Sequence, residues 1–202
     1  MNTIEERAAY KRSMPRRALL EKHVQNCKII PDRTVLLQLL KPNSVVAEIG
    51  VAFGDFSDEI WEITKPKKFH LIDAWDTDRY KEGLDGIRKK FNSQIESEVI
   101  SVNIGNSTDV LSSMDDGYFD WVYIDTSHSY NTTRQELALA QQKCKPGGRI
   151  CGHDFTSGNV ITPVPYGVIE ACHEFCVNYD WEYEYLTLEP HGHFSFCLKK
   201  IA

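Results

Sequence analysis

Between residues 44 and 155 the chain alternates, five times over, a short apolar run rich in β-branched residues with a stretch of helical spacing. The runs are SVVAEIG (44–50), KFHLID (68–73), EVISVNIG (98–105), FDWVYID (119–125) and RICGHDF (149–155). Runs this short and this apolar belong to strands covered on both faces. Segments of helical spacing between them demand crossover connections, which make the strands parallel and put helices on both sides of one sheet. The spacing predicts helices over 33–40, 56–64, 78–94, 108–114, 130–143 and 166–178. The last stretch changes period: WEYEYLTL (181–188) and HFSFCLKK (193–200) alternate in twos around Pro190-His191-Gly192, as an antiparallel hairpin does. Residues 1–42 read as a helical segment packed on the core and 43–202 as the sheet domain, together one structural unit. A chain of 202 residues suits a single core.

Composition removes several classes of function. With a formal net charge of -6, the chain lacks the basic face that phosphate backbones reward, so a nucleic-acid partner is not expected. The cluster Lys11, Arg12, Arg16 and Arg17 is flanked by Glu5, Glu6 and Glu21 and reads as a solvated helix face. No apolar run reaches the roughly 18 residues of a membrane span, and the first residues lack the apolar core of a secretory leader. The six cysteines form no C-x-x-C pair, and Cys172 and Cys176 share an apolar helix face, which suggests a reducing, cytoplasmic setting. Whether the chain forms a homo-oligomer is left open.

In a parallel α/β sheet, ligands bind beyond the carboxyl ends of the strands. After the first run stands Glu48-Ile-Gly50-Val-Ala-Phe-Gly54-Asp55, a turn whose glycines let the backbone approach a ligand closely. A carboxylate beside that turn repels a pyrophosphate but suits an amine-bearing or cationic ligand. A dinucleotide fingerprint needs glycine at 52 and 55, where Ala52 and Asp55 stand, and no Gly-Lys-Ser/Thr of a P-loop follows. Asp73 ends the second run, where an acid can accept from a ribose diol. Asn106 and Ser107 follow the third, where an amide can meet a base edge. Taken in order, these describe a nucleoside site whose positively charged tail lies near Glu48.

With these residues in view, the sequence resembles the class I S-adenosylmethionine-dependent methyltransferases. FDWVYIDTSHSY (119–130) followed by KPGGRICGHDF (145–155) resembles more narrowly the subfamily of macrocin and other antibiotic-sugar O-methyltransferases. The likeness spans roughly residues 43 to 200. It implies a Rossmann-like, seven-stranded sheet of order 3-2-1-4-5-7-6, S-adenosylmethionine as cofactor, and a sugar or other small hydroxylated metabolite as acceptor. It implies that Glu48, Gly50, Val51, Ala52 and Gly54 surround the methionine and ribose part of the cofactor. Asp73 with Ala74 would hold the ribose, Asn106 and Ser107 would lie near adenine, and Asp125 would touch the cofactor. That subfamily holds Mg²⁺ with one acid at the fourth strand end and two adjacent acids at the fifth. Asp125 and Asp154 match, His153 stands in place of the other acid, and the acid that serves those enzymes as base corresponds to Ser127.

Methyl transfer to a hydroxyl requires removal of its proton, a task suited to histidine. The sequence offers His128 or His153 as that base, with Asp125 and Asp154 as orienters or metal ligands. The loop 156–165 is a candidate wall of the acceptor pocket, and Trp75 and Tyr130 are candidate stacking aromatics. His191 and His193 read as ordinary exposed residues. Two other readings stand beside the enzyme: a nucleotide-binding module without methyl transfer, and an NAD-dependent oxidoreductase.

Overall fold

The computed structural model describes residues 3–202. Thr3 opens the first helix, α1 (Ile4–Ser13), through a reciprocal capping box with Glu6. After a single 3₁₀ turn the chain forms β1 (Lys28–Ile30) and α2 (Arg33–Leu39), the latter capped by the Asp32 side chain on Val35 N–H. The alternating region then gives β2 (Val45–Ile49), α3 (Asp55–Thr64), β3 (Lys68–Asp73), α4 (Gly83–Lys90), α5 (Asn92–Glu96) and β4 (Ile100–Ile104). It continues through α6 (Ser107–Ser113), β5 (Phe119–Ile124), α7 (Tyr130–Lys143) and β6 (Cys144–Gly152). A small ribbon, β7 (Gly158–Asn159) with β8 (Val164–Pro165), precedes α8 (Val168–Tyr179), β9 (Trp181–Thr187) and β10 (Phe196–Lys200).

The sheet order is β1-β9-β10-β6-β5-β2-β3-β4. Strands β2 to β6 run parallel, and β10 is antiparallel to both β6 and β9. Seven of these strands reproduce the expected order. The eighth, β1, was not expected: it pairs parallel with β9 at the edge, Lys28 facing Tyr185 and Ile30 facing Thr187. Three residues with polar neighbours carry no periodicity, so only the open edge of β9 recruits them.

Alternation along the strands divides the core. Val45, Ala47, Ile49, Ile72, Ile150, Phe196 and Leu198 pack under α6, α7 and α8 with Leu111, Leu137 and Phe175. Val46, Phe69, Leu71, Cys151 and Cys197 face α2, α3 and α4 with Leu36, Ile60 and Ile87. Each of the larger aliphatic and aromatic side chains contributes about 1.5–3 kcal/mol by leaving water. Among the described residues, no helix is long and apolar enough to cross a membrane. Strand order reverses at β2, with β3 on one side and β5 on the other, and this opens a crevice above their carboxyl ends.

Candidate active site

That crevice is a cleft of about 550 Å³, within the usual range for small-molecule sites. Its walls include Glu48, Gly50, Val51, Ala52, Asp73, Ala74, Asn106, Ser107, Asp125 and His128. Gly54 is not on the wall: it is the N-cap of α3 at φ 79°, and a Cβ there would meet Ile87 Cδ1 at 2.2 Å. Gly50, at φ 90°, lies so close to the end of β5 that a Cβ would stand 2.0 Å from the Asp125 carbonyl oxygen. At Gly50 the turn therefore packs directly on the end of β5, and only glycine fits there.

Asp73 fixes the shape of this turn. Its Oδ2 accepts from Val51 N–H (2.7 Å) and Ala52 N–H (2.9 Å), and its Oδ1 from Trp75 N–H (2.9 Å). Trp75 returns an indole N–H to the Ala52 carbonyl at 2.8 Å. A carboxylate has about four acceptor sites, so the backbone uses most of this one. Asn106 caps α6 without a side-chain hydrogen bond, which leaves its amide unspent at the cleft. Glu48 is 2% exposed and accepts the Ser57 hydroxyl; burial pushes its carboxyl up to about 8.

The other half of the site comes from β5, β6 and the β9–β10 connection. His128 Nε2 lies 3.0 Å from Asp154 Oδ2, and His128 Nδ1 lies 3.9 Å from Asp125 Oδ1. His193 Nδ1 bonds the other Asp154 oxygen. His193 was expected to be an ordinary exposed residue; the hairpin instead folds it onto Asp154. His153 Nδ1 is 3.6 Å from Asp125 and 3.8 Å from Asp154, and its Nε2 is buried without a partner. Its ring faces a small void behind the cleft rather than the cleft itself. Burial opposes charge on Asp154, but His153, His128 and His193 outweigh it and hold this carboxyl well below its usual range. On Asp125 desolvation dominates and raises the carboxyl, despite the opposing influence of His153 and His128. For His153 burial is again opposed, and the two aspartates raise its imidazole.

Backbone strain gathers at the same place. Ala52, Trp75, His128 and Asp154 all have left-handed φ, between 45° and 56°. Such non-glycine residues cost about 1–2 kcal/mol each and persist where surrounding contacts hold them. Tyr166 covers His128 with ring centroids 4.6 Å apart, held by Gly167 N–H on the His128 carbonyl. Tyr130 turns away: its hydroxyl bonds Glu174 and its N–H meets Tyr10. The loop 156–165 closes on itself as the β7–β8 ribbon.

Ligand atoms of Asp125, His128 and Asp154 lie within 4.8 Å of one another. Mg²⁺ requires near-octahedral oxygen ligands, usually carboxylates and waters. Here both Asp154 oxygens already face imidazoles, and His153 replaces an oxygen donor. The residues present do not fit magnesium.

Arg33 and His193 were missed by the sequence reading. Arg33 lines the cleft from the start of α2, where the sequence shows only a helix beginning after Pro31-Asp32. A cavity of about 590 Å³ also lies at the opposite end of the sheet. It is lined by three cations and two acids: Lys145 meets Asp120 at 2.9 Å, Arg149 is bonded to Glu184, and Lys41 lies 3.9 Å from the same Asp120.

A family model described as a methyltransferase domain matches residues 47–155, more than half of the chain. No curated protein matches it in sequence. Among solved structures, a putative rRNA methylase from Clostridium thermocellum is similar, with 14% identity, TM-score 0.65, and 86% of this chain and 98% of that one covered. The O-methyltransferase TomG from Streptomyces achromogenes, solved with SAM, has 17% identity and TM-score 0.61, covering 84% and 77%. The pyocyanin biosynthetic protein PhzM has 12% identity and TM-score 0.59 over 83% of this chain, which spans just over half, 54%, of PhzM. At such identities these structures show a shared fold and nothing about the acceptor. The family match, on the segment that builds the turn after β2, the ends of β3 to β5 and the His153-Asp154 pair, shows that this chain belongs to the methyltransferase-domain family.

Proposed function

We propose that this protein transfers a methyl group from S-adenosylmethionine to a hydroxyl of a sugar or other small hydroxylated metabolite. One convergence carries the reading: Glu48, Asp73 and Asn106, from three different strand ends, line a single cleft that His128 also enters. The cleft fits this ligand. The carboxyls of Glu48 and Asp125, which burial holds toward the neutral form in the free protein, would ionise beside a bound sulfonium and ammonium. Asp73 has an acceptor site left for a ribose hydroxyl, and Asn106 has an amide for a base edge.

Bound S-adenosylmethionine supplies an electrophilic methyl group and departs as the neutral thioether. The protein's part is to hold the acceptor and take its proton. His128 Nε2–H donates to Asp154, which leaves Nδ1 with a lone pair on the cleft side. His128 Nδ1 would take the proton of the acceptor hydroxyl as that oxygen receives the methyl group. Asp154 stabilises the resulting imidazolium. His153, recessed behind the cleft, acts as a neighbour in this arrangement rather than as the base. Tyr166 limits access of water to the His128 ring.

A thermal-shift series with S-adenosylmethionine, its demethylated product and NAD tests the reading. Ligand at about 100 times its Kd is expected to stabilise the fold by about 2.7 kcal/mol. Stabilisation by both adenosyl ligands, with methyl transfer to polyhydroxylated acceptors, is the expected result. Stabilisation by NAD alone would remove the proposal.

A further inference from the structure

The cleft carries five acids on its walls, Glu48, Asp55, Asp73, Asp76 and Asp125, against one permanent cation, Arg33. That cation is placed with care. Its backbone N–H, the first of α2, is held at 3.0 Å by Glu189, a carboxylate 5% exposed on the β9–β10 connection. Asp32 caps the same helix turn through Val35 N–H at 2.8 Å. From this fixed start the side chain extends over Phe56, its guanidinium carbon 4.2 Å from the ring centroid, and Phe56 in turn leans on Tyr123 at 4.5 Å.

The guanidinium reaches the cleft without a hydrogen-bonded acid. Its nearest carboxylate among the described residues is Glu59, 3.8 Å away, and Glu59 is already bonded to the Thr34 hydroxyl at 3.0 Å. The guanidinium thus lines the cleft stacked on Phe56, with N–H donors that no hydrogen bond to the described residues occupies. Phe56 belongs to the first turn of α3, directly after the turn that Glu48 introduces.

We propose that Arg33 holds the carboxylate of the aminoacyl end of the bound cofactor. The inference rests on the cofactor reading above and extends it. An aminoacyl tail is a zwitterion. Its ammonium is served by the acids around Glu48, and its carboxylate would be repelled by the same acids unless a cation answered it. Arg33 is the cation on that wall, and a guanidinium matches a carboxylate with two parallel hydrogen bonds.

The test compares two adenosine ligands that differ in this group. S-adenosylhomocysteine carries the carboxylate; 5′-methylthioadenosine has the same nucleoside and thioether but no aminoacyl end. Titration calorimetry on the full chain reads both affinities for the wild type, Arg33→Ala and Arg33→Lys. Arg33→Ala is expected to weaken S-adenosylhomocysteine by about 10- to 100-fold, the scale of a lost charge-assisted pair. It is expected to leave 5′-methylthioadenosine within about twofold, which also shows that the variant is folded. Arg33→Lys recovers part of the loss. An unchanged S-adenosylhomocysteine affinity, or an equal loss for both ligands, overturns the assignment. Failure of the wild type to bind either ligand overturns the cofactor reading itself.

Discussion

Asp154 stands directly behind His128, its Oδ2 3.0 Å from the imidazole Nε2, while its other oxygen is bonded to His193. The carboxylate is 6% exposed and sits at φ 55°, so neither its position nor its orientation is left to solvent. In the proposed mechanism this contact is what keeps the proton on Nε2 and leaves Nδ1 free to act as base.

Replacing His128 by Ala is expected to lower kcat by about 10²- to 10⁴-fold, the usual contribution of a positioned base. Asp154→Asn is expected to lower kcat by a similar factor, since an amide can present a donor to Nε2 and turn the ring to its other tautomer. Neither change touches the adenosine side of the cleft, so affinity for S-adenosylhomocysteine should stay within about threefold, a difference of ~0.7 kcal/mol. Steady-state kinetics with calorimetry separate the two. Full turnover in His128→Ala would end its assignment as base.

His193 offers a sharper comparison, because only its Nδ1–H is used. The amide of Asn reaches nearly the same point in space as that nitrogen. His193→Asn is therefore expected to keep most of the rate, and His193→Ala to lose on the order of tenfold, the worth of a charge-assisted hydrogen bond at its lower end. Equal rates in the two variants would reduce His193 to a packing residue. Nitrogen-15 NMR of the His128 ring gives an independent reading: the Nε2-protonated tautomer should dominate in the wild type and His193→Asn, and mix in His193→Ala.

Much of this arrangement was legible in the chain because it is local. Strand runs, the turn after Glu48 and the acids at strand ends are patterns within a few residues, and the sheet reproduces them. The misses are relationships over distance. His193 meets Asp154 across 39 residues, and nothing in a Pro-His-Gly-His hairpin announces that contact. β1 exists only because β9 leaves an edge to pair with. In the helix read over 33–40, helical spacing puts Val35, Leu36, Leu39 and Leu40 on one apolar face. The structure buries Leu36, Leu37 and Leu40 and leaves Leu39 49% exposed, because the helix stops at Leu39 and the chain extends at Leu40. Arg33 was passed over for a related reason: at a helix start it looks like any solvated cation until the fold brings the cleft beneath it.

Glu48 makes cofactor binding depend on protons. Burial pushes its carboxyl up to about 8 in the free protein, so at pH 7 it is mainly protonated. A cationic aminoacyl end favours the ionised form and lowers that value on binding. Binding at pH 7 should therefore release a fraction of a proton approaching one, and affinity should rise with pH until about 8 and then level. Calorimetry of S-adenosylhomocysteine in buffers of different ionisation enthalpy measures the proton count directly. The Glu48→Gln variant should show none of this release. Proton uptake, or release that persists in the variant, would place the titrating group elsewhere.

Glu136 lies within α7 with no exposed surface, Oε2 accepting the Thr126 hydroxyl at 2.9 Å and Oε1 unpaired. Burial, the leading cause, pushes its carboxyl up to about 7. In the unfolded chain a glutamate ionises near 4.3. Between these values the folded state keeps a proton that the unfolded state has lost, so unfolding releases a proton and raising the pH favours the unfolded chain. The contribution of Glu136 to stability is complete below about pH 4 and declines through the window up to about 7. Above that it levels, with a total loss of ~4 kcal/mol at most. Glu136→Gln cannot ionise and escapes the loss. Urea unfolding of both proteins at pH 5 and pH 8 should show the variant gaining on the wild type by about 1–3 kcal/mol over that interval. A stability difference that does not change with pH would mean that Glu136 ionises in the fold as readily as in water, and that its helix is wetter than its packing indicates.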